Sequence, residues 1–212
     1  MGRYIGPACR LCRREGMKLF LKGTRCYLAK CAIDKERNPP GQHGARRRKL
    51  SDYGEQLRAK QRLRRMYGLQ EEQFRAFFEK ALKQRGVTGE RLLQMLELRL
   101  DTVVWRLGFA VSQRAARQMV LHGHVEVNGR KVDIPSYQLR PGCIVQVRGR
   151  EASRQLAKAS LDQIASVRKS EDVVPWLSLH RDELKGEVLH VPSRDEIQPI
   201  VNEQQVVELY SK

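Results

Sequence analysis

Residues 100–137, LDTVVWRLGFAVSQRAARQMVLHGHVEVNGRKVDIPSY, change their periodicity once, from helical to extended. Ser112 suits a helix N-cap and Gly123 a helix stop. Between them, Arg114, Arg117, Gln118 and Leu121 project one way, while Ala116, Met119 and Val120 project roughly opposite. That spacing predicts a helix with a cationic front and an apolar back. Beyond it, Val125-Glu126-Val127 and Lys131-Val132-Asp133-Ile134 flank Asn128-Gly129-Arg130. Asn-Gly tolerates positive φ at both central positions, so the pair predicts a hairpin. Pro141-Gly142 predicts a further turn into a third short strand, Ile144-Val145-Gln146-Val147.

Upstream, three helices are expected. The first starts at Asp52 with Glu55 three residues on and stops at Gly68. Its Arg58, Arg62 and Arg65 share one face, and Tyr53, Leu57, Leu63 and Tyr67 lie towards the other. In the second, Phe74, Phe77, Phe78, Ala81 and Leu82 form one buried stripe ending at Gly86. Thr88 caps the third, which carries Leu92, Leu93, Leu96 and Leu100. Downstream, a helix is expected over 152–168, then strands at 176–180 and 187–191 joined by a turn ending in Gly186. A last helix begins at Asn202 and buries Val206, Val207 and Tyr210.

The 212-residue chain carries 41 Lys plus Arg against 24 Asp plus Glu, a net charge of +17. These charges are segregated. Residues 1–50 hold 14 basic and 3 acidic side chains, whereas residues 151–212 hold 8 and 11. Concentrated like charge repels itself unless a polyanion neutralises it, so nucleic acid is the expected partner. An anionic membrane is disfavoured because no apolar stripe backs the basic segments. No run approaches the roughly 18 apolar residues of a membrane span. MGRYIGPACRLCRREG lacks the apolar core of a secretory signal, and a cytoplasmic location is expected.

Cys9, Cys12, Cys26 and Cys31 are spaced C-x2-C-x13-C-x4-C. Four thiolates can complete a tetrahedral shell around zinc, with a tight turn aiming the first pair at one metal. Four cysteines also suit an iron–sulfur cluster. Disulfides are not expected without export. A closed four-ligand shell leaves no open position, so the role would be structural. His43 is near enough to be a further ligand but reads better as a loop or phosphate contact, and Cys143 as a small, partly buried residue. Asn38-Pro39-Pro40-Gly41-Gln42-His43-Gly44 closes this segment, and Arg46, Arg47, Arg48 and Lys49 follow on an exposed connector.

Residues 100–137 resemble the S4-type RNA-binding domain. With MGRYIGPACRLCRREG at 1–16, NPPGQHG at 38–44 and NEQQVVELYSK at 202–212, nearly the whole chain resembles the bacterial small-subunit ribosomal S4 family, in its cysteine-containing form. The resemblance implies an α+β fold: a metal-binding extension and linker over 1–45, and a helical domain over 46–92 plus 195–212. An S4-type domain with a small antiparallel sheet is inserted over 93–194. It implies direct binding to the 5′ domain of 16S rRNA early in small-subunit assembly, contact with ribosomal protein S5 and a part in decoding accuracy. In some bacteria it also implies repression of the protein's own messenger RNA.

Two RNA-gripping surfaces are therefore expected. One gathers Arg3, Arg10, Arg13, Arg14, Lys18, Lys22, Arg25, Lys30, His43, the 46–49 connector, and Arg58, Arg62 and Arg65. The other is the helix and hairpin from Ser112 to Arg130: Ser112, Gln113, Arg114, Arg117, His122, Gly123, His124, Asn128, Gly129 and Arg130. Gln113 stands where the family usually has Arg, which removes a phosphate-pairing charge. Pseudouridine synthases and tyrosyl-tRNA synthetases attach S4-type modules to catalytic domains. This sequence offers neither a catalytic arrangement nor a domain for one, so no enzyme is expected. A zinc-dependent DNA-binding protein would show one recognition helix and a dimerisation element instead.

Overall fold

The computed structural model describes residues 4–46, 49–167, 174–197 and 201–211. They form two compact units. The first comprises the described residues up to Leu93 together with 201–211, and the second runs from Gln94 to Ile197.

In the first unit, α1 (Ala8–Glu15) and a 3-10 turn (Gly23–Cys26) precede α2 (Asp52–Met66), α3 (Glu71–Leu82) and α8 (Glu203–Tyr210). Ser51 is the cap of α2, its hydroxyl accepting from Gly54 N–H, so Asp52 is already the first helical residue. Ala59, Leu63, Met66, Phe74, Phe78, Ala81 and Val206 are buried. Leu82, expected in that core, is 60% exposed at the end of α3, where the stripe rotates away from the other helices. Tyr210 of α8 closes the bundle. Its ring stacks on Phe78 with centroids 4.6 Å apart, and its hydroxyl donates to Glu71 Oε1 at 3.0 Å. Glu71 also takes an ion pair from the buried Lys60 of α2. Asn202 caps α8 through Gln204 N–H.

In α4 (Thr88–Glu97), Thr88 lies inside the helix. Leu100 does not extend it: the chain breaks at 98–99 and restarts as α5 (Leu100–Arg106). Two buried ion pairs brace the break. Arg99 binds Asp101 in bidentate fashion at 3.0 and 2.7 Å, and Arg106 binds Glu97 at 3.0 and 2.6 Å.

The second unit continues through α6 (Gln113–Leu121), β1 (Val125–Val127), β2 (Arg130–Lys131), β3 (Ile144–Val147), α7 (Glu151–Ala165), β4 (Leu177–His180) and β5 (Lys185–Val188). The strands form one antiparallel sheet in the order β2-β1-β3-β5-β4. Val125, Val127, Val145, Val147, Leu177 and Val188 bury one face with Leu100, Val103, Leu107, Met119 and Val120. Gly186 lies within β5 and not in the preceding turn, which is made by 181–184 with Leu184 at φ 52°. The glycine is there for packing: it leaves space that Leu107 fills.

Candidate nucleic-acid interface and cysteine knuckle

Helix α6 presents the face its spacing predicts. Ala116, Met119 and Val120 are buried, Arg114 and Arg117 are half-buried, and Gln118 and Leu121 are exposed. Arg117 reaches back to Asp101 Oδ2 at 3.5 Å. Ser112 and Gln113, expected to face RNA, instead serve the fold. The Ser112 hydroxyl accepts from Ala115 N–H at 3.3 Å as the helix cap. Gln113 is 6% exposed, and its amide donates to Thr102 Oγ1 at 3.0 Å. An uncharged amide tolerates this burial at far lower cost than a guanidinium would.

After α6 the chain turns at Gly123 (φ 69°), with Lys131 folded over it. Asn128 (φ 50°) and Gly129 (φ 76°) make the tip of the β1–β2 hairpin. Asn128 also holds the tip to β3, its Oδ1 accepting from Ile144 N–H at 2.8 Å. Arg130 and His122 are exposed. His124 is half-buried, with Nδ1 2.8 Å from Ser153 Oγ. Burial lowers its pKa below the ordinary histidine value, and neighbouring His122, Arg150 and Arg148 lower it further. Lys131 of the hairpin thus joins this basic patch, and so do Arg148 and Arg150, although helix and hairpin motifs alone do not point to those two arginines. The signal that could have found them is the basic tail directly after the third strand.

In the amino-terminal region, Arg10, Arg14, Lys22, Arg25, Lys30, His43, Arg46 and Lys49 are exposed. Arg3, Arg47 and Arg48 lie outside the described residues. Arg13 donates to the Asn38 carbonyl at 2.8 Å, and Lys18 pairs with Asp34 at 2.7 Å. The arginine face of α2, expected to meet RNA, lies on the side that packs on α1. Arg58, Arg62 and Arg65 converge on Glu15, whose side chain is fully buried. Burial pushes the Arg65 guanidinium down while Glu15 pulls it up, and Arg58, Arg64 and Arg14 add repulsion. Glu15 is the sole acid among the first 33 residues, and that isolation could have marked it.

Cys9 and Cys12 sit on α1 and not on a tight turn; three residues apart on a helix, they still share one side. Cys26 ends the 3-10 turn. With Cys31 they are free thiols lining one small cavity. The Cys26 sulfur accepts from Lys22 N–H at 3.4 Å, and Leu19 N–H serves Cys12 similarly. Burial raises the pKa of both thiols, the surrounding cysteines add to the rise, and these amides oppose it. Among the described residues, no three His, Cys, Asp or Glu side chains form a ready metal-holding group. The sulfurs share a cavity without being drawn into a coordination shell. Also among the described residues, no helix is long and apolar enough to cross a membrane.

The pattern of the ribosomal protein S4/S9 N-terminal domain matches residues 3–97, and that of the S4 domain matches residues 98–145. Small ribosomal subunit protein uS4 of Thermus thermophilus is 54% identical over the whole of both chains. Its counterparts in Thermodesulfovibrio yellowstonii and Geobacter sp. strain M21 are 52% and 55% identical, again over the full length of each. Two domain matches in sequence and full-length likeness to these relatives place the chain in the uS4 family of small ribosomal subunit proteins.

Proposed function

We propose that this chain grips the 5′ domain of 16S rRNA through two basic surfaces and helps nucleate small-subunit assembly. As a uS4 protein it is a structural, non-catalytic constituent of the small ribosomal subunit, and it binds rRNA. Double-helical RNA hides its base edges in a deep narrow groove, so recognition runs through shape, phosphates and 2′-hydroxyls. The observation that carries the surface assignment is the basic patch around the end of α6. Arg130 and His122 are exposed there, and Lys131, Arg148 and Arg150 stand close by. The second surface uses Arg10, Arg14, Lys22, Arg25, Lys30, Arg46 and Lys49.

Zinc held by Cys9, Cys12, Cys26 and Cys31 is part of this proposal. Four thiols lining one cavity, two of them already receiving backbone N–H groups, support it. Zinc would supply a structural cross-link and no chemistry. Contact with ribosomal protein S5, a share in decoding accuracy and repression of the chain's own message rest on the family likeness.

Binding to a transcript of the 16S 5′ domain across a salt series tests the surfaces. Removing one phosphate-binding cation should reduce the slope of log affinity against log salt by roughly 0.9. Arg130→Ala and paired Arg46→Ala, Lys49→Ala should each weaken binding and flatten that slope. Wild-type slopes in both variants would refute the assignment.

A further inference from the structure

We propose that Glu15 is the positioning residue of the α2 arginine face, holding Arg58, Arg62 and Arg65 as one platform for RNA phosphates. The proposal rests on the reading that the basic surfaces grip rRNA. Glu15 occupies a place that helix electrostatics disfavour. It is the last residue of α1, where the macrodipole is negative and a carboxylate is unwelcome. It is also fully buried, and an unpaired buried carboxylate is costly. What compensates is the arginine set, one or two turns apart on α2. Arg58 Nη1 is 3.2 Å from Oε1, Arg65 Nη1 meets the same oxygen, and Arg62 Nε is 3.6 Å from Oε2.

One acid among three cations leaves a net local charge of +2. The arginine side chains remain 19%, 33% and 19% exposed, so none of the three is sealed away by Glu15. Every guanidinium offers five donors, and a carboxylate accepts about four hydrogen bonds in all. Donors are therefore left over on the exposed parts of the three side chains. Without Glu15 the three like charges would spread into separate rotamers. Ordering them again on binding costs conformational entropy for each side chain. Glu15 incurs that ordering in the free protein, so RNA meets a platform already set. A residue that merely glued α1 to α2 would need only one such partner.

Glu15→Gln separates the two roles. It keeps the shape, removes the anchor and raises the local charge to +3. The salt slope for a non-cognate single strand such as poly(U) should steepen by roughly 0.7. Preference for the 16S 5′-domain transcript over poly(U) should fall on the order of tenfold, as ordering costs return. Glu15→Gln with Arg62→Gln restores the local charge to +2 and should return the slope to the wild-type value. A glue role predicts a lower melting temperature with slope and preference unchanged in the folded fraction, and that result overturns the proposal. If Glu15→Gln does not fold, Arg62→Gln alone must lose preference and flatten the slope; an unchanged slope there also overturns it. A wild-type chain with no preference for the transcript would instead defeat the underlying reading of the surfaces.

Discussion

A Cβ placed on Gly186 would stand 2.4 Å from Leu107 Cδ2 and 2.5 Å from Cδ1. Cross-strand pairing aligns Val127, Val145, Gly186 and Leu179 in one row, and the glycine is the gap in it. Leu107, 1% exposed, fills that gap from the end of α5 and so docks the helix on the sheet.

Gly186→Ala should therefore destabilise the second unit by about 1–3 kcal/mol, the usual range for overpacking. Leu107→Ala should cost about 2–5 kcal/mol by leaving a cavity. Together they should cost less than their sum, because the new methyl occupies space the leucine vacates. Urea denaturation of the four proteins measures this. Strict additivity would show that the two residues do not share one space.

Gln113 and Arg130 should respond in opposite ways. Gln113→Ala leaves the fully buried Thr102 hydroxyl without its partner and should cost about 1–3 kcal/mol of stability. Its rRNA affinity should be unchanged wherever the protein is folded. Arg130→Ala, at an exposed hairpin position, should leave the melting temperature alone and weaken RNA binding. Melting curves beside filter binding would decide, and an RNA defect in folded Gln113→Ala would return that residue to the interface.

These two residues also mark what is legible in the sequence. The helix, the Asn-Gly hairpin and the third strand can be read because periodicity and turn chemistry are local. The exposed Arg130 follows directly from that hairpin. Gln113 cannot be placed in this way, since residue type alone does not separate the first helical position facing solvent from one facing Thr102 of another helix. Gly186 misleads for a similar reason: glycine marks both turns and close approaches, and only the long-range contact with Leu107 distinguishes them. The Glu15 cluster is half visible. Its arginines show as a face, but the acid that meets them lies some 40 to 50 residues away along the chain and no periodicity links the two.

Stability of the helical unit should fall at acid pH partly through Glu71. Partial burial acts to raise its pKa, but Lys60, the Tyr210 hydroxyl and Arg64 together bring it below the ordinary carboxylate value of 4.5. A depressed carboxyl stabilises the folded state above its unfolded pKa and loses that contribution as pH falls through the folded one. Glu71→Gln should thus be less stable than wild type at neutral pH, and the gap should narrow steadily as pH falls below the ordinary carboxylate value of 4.5. Thermal melts across that range test this. A gap independent of pH would mean that the Lys60–Glu71–Tyr210 contact contributes nothing as an ion pair.

Metal removal should loosen the extension before the rest of the chain. Ala8, Cys12, Leu19 and Leu21 form a small core of their own, with Leu11, Met17 and Ile33 packed against it. So small a cluster buries too little apolar surface to hold a basic loop together unaided, and a four-thiolate zinc site would cross-link it. Purified protein should contain roughly one zinc per chain and show no visible absorption. Chelation, or Cys12→Ser, should raise amide exchange first in residues 8–33 and leave β1, β3 and β5 protected, since structural metal binding is coupled to local folding. Visible iron–sulfur absorption would replace zinc by a cluster on the same sulfurs. Four thiols reacting at once with a disulfide reagent in the native, metal-replete protein would rule out both.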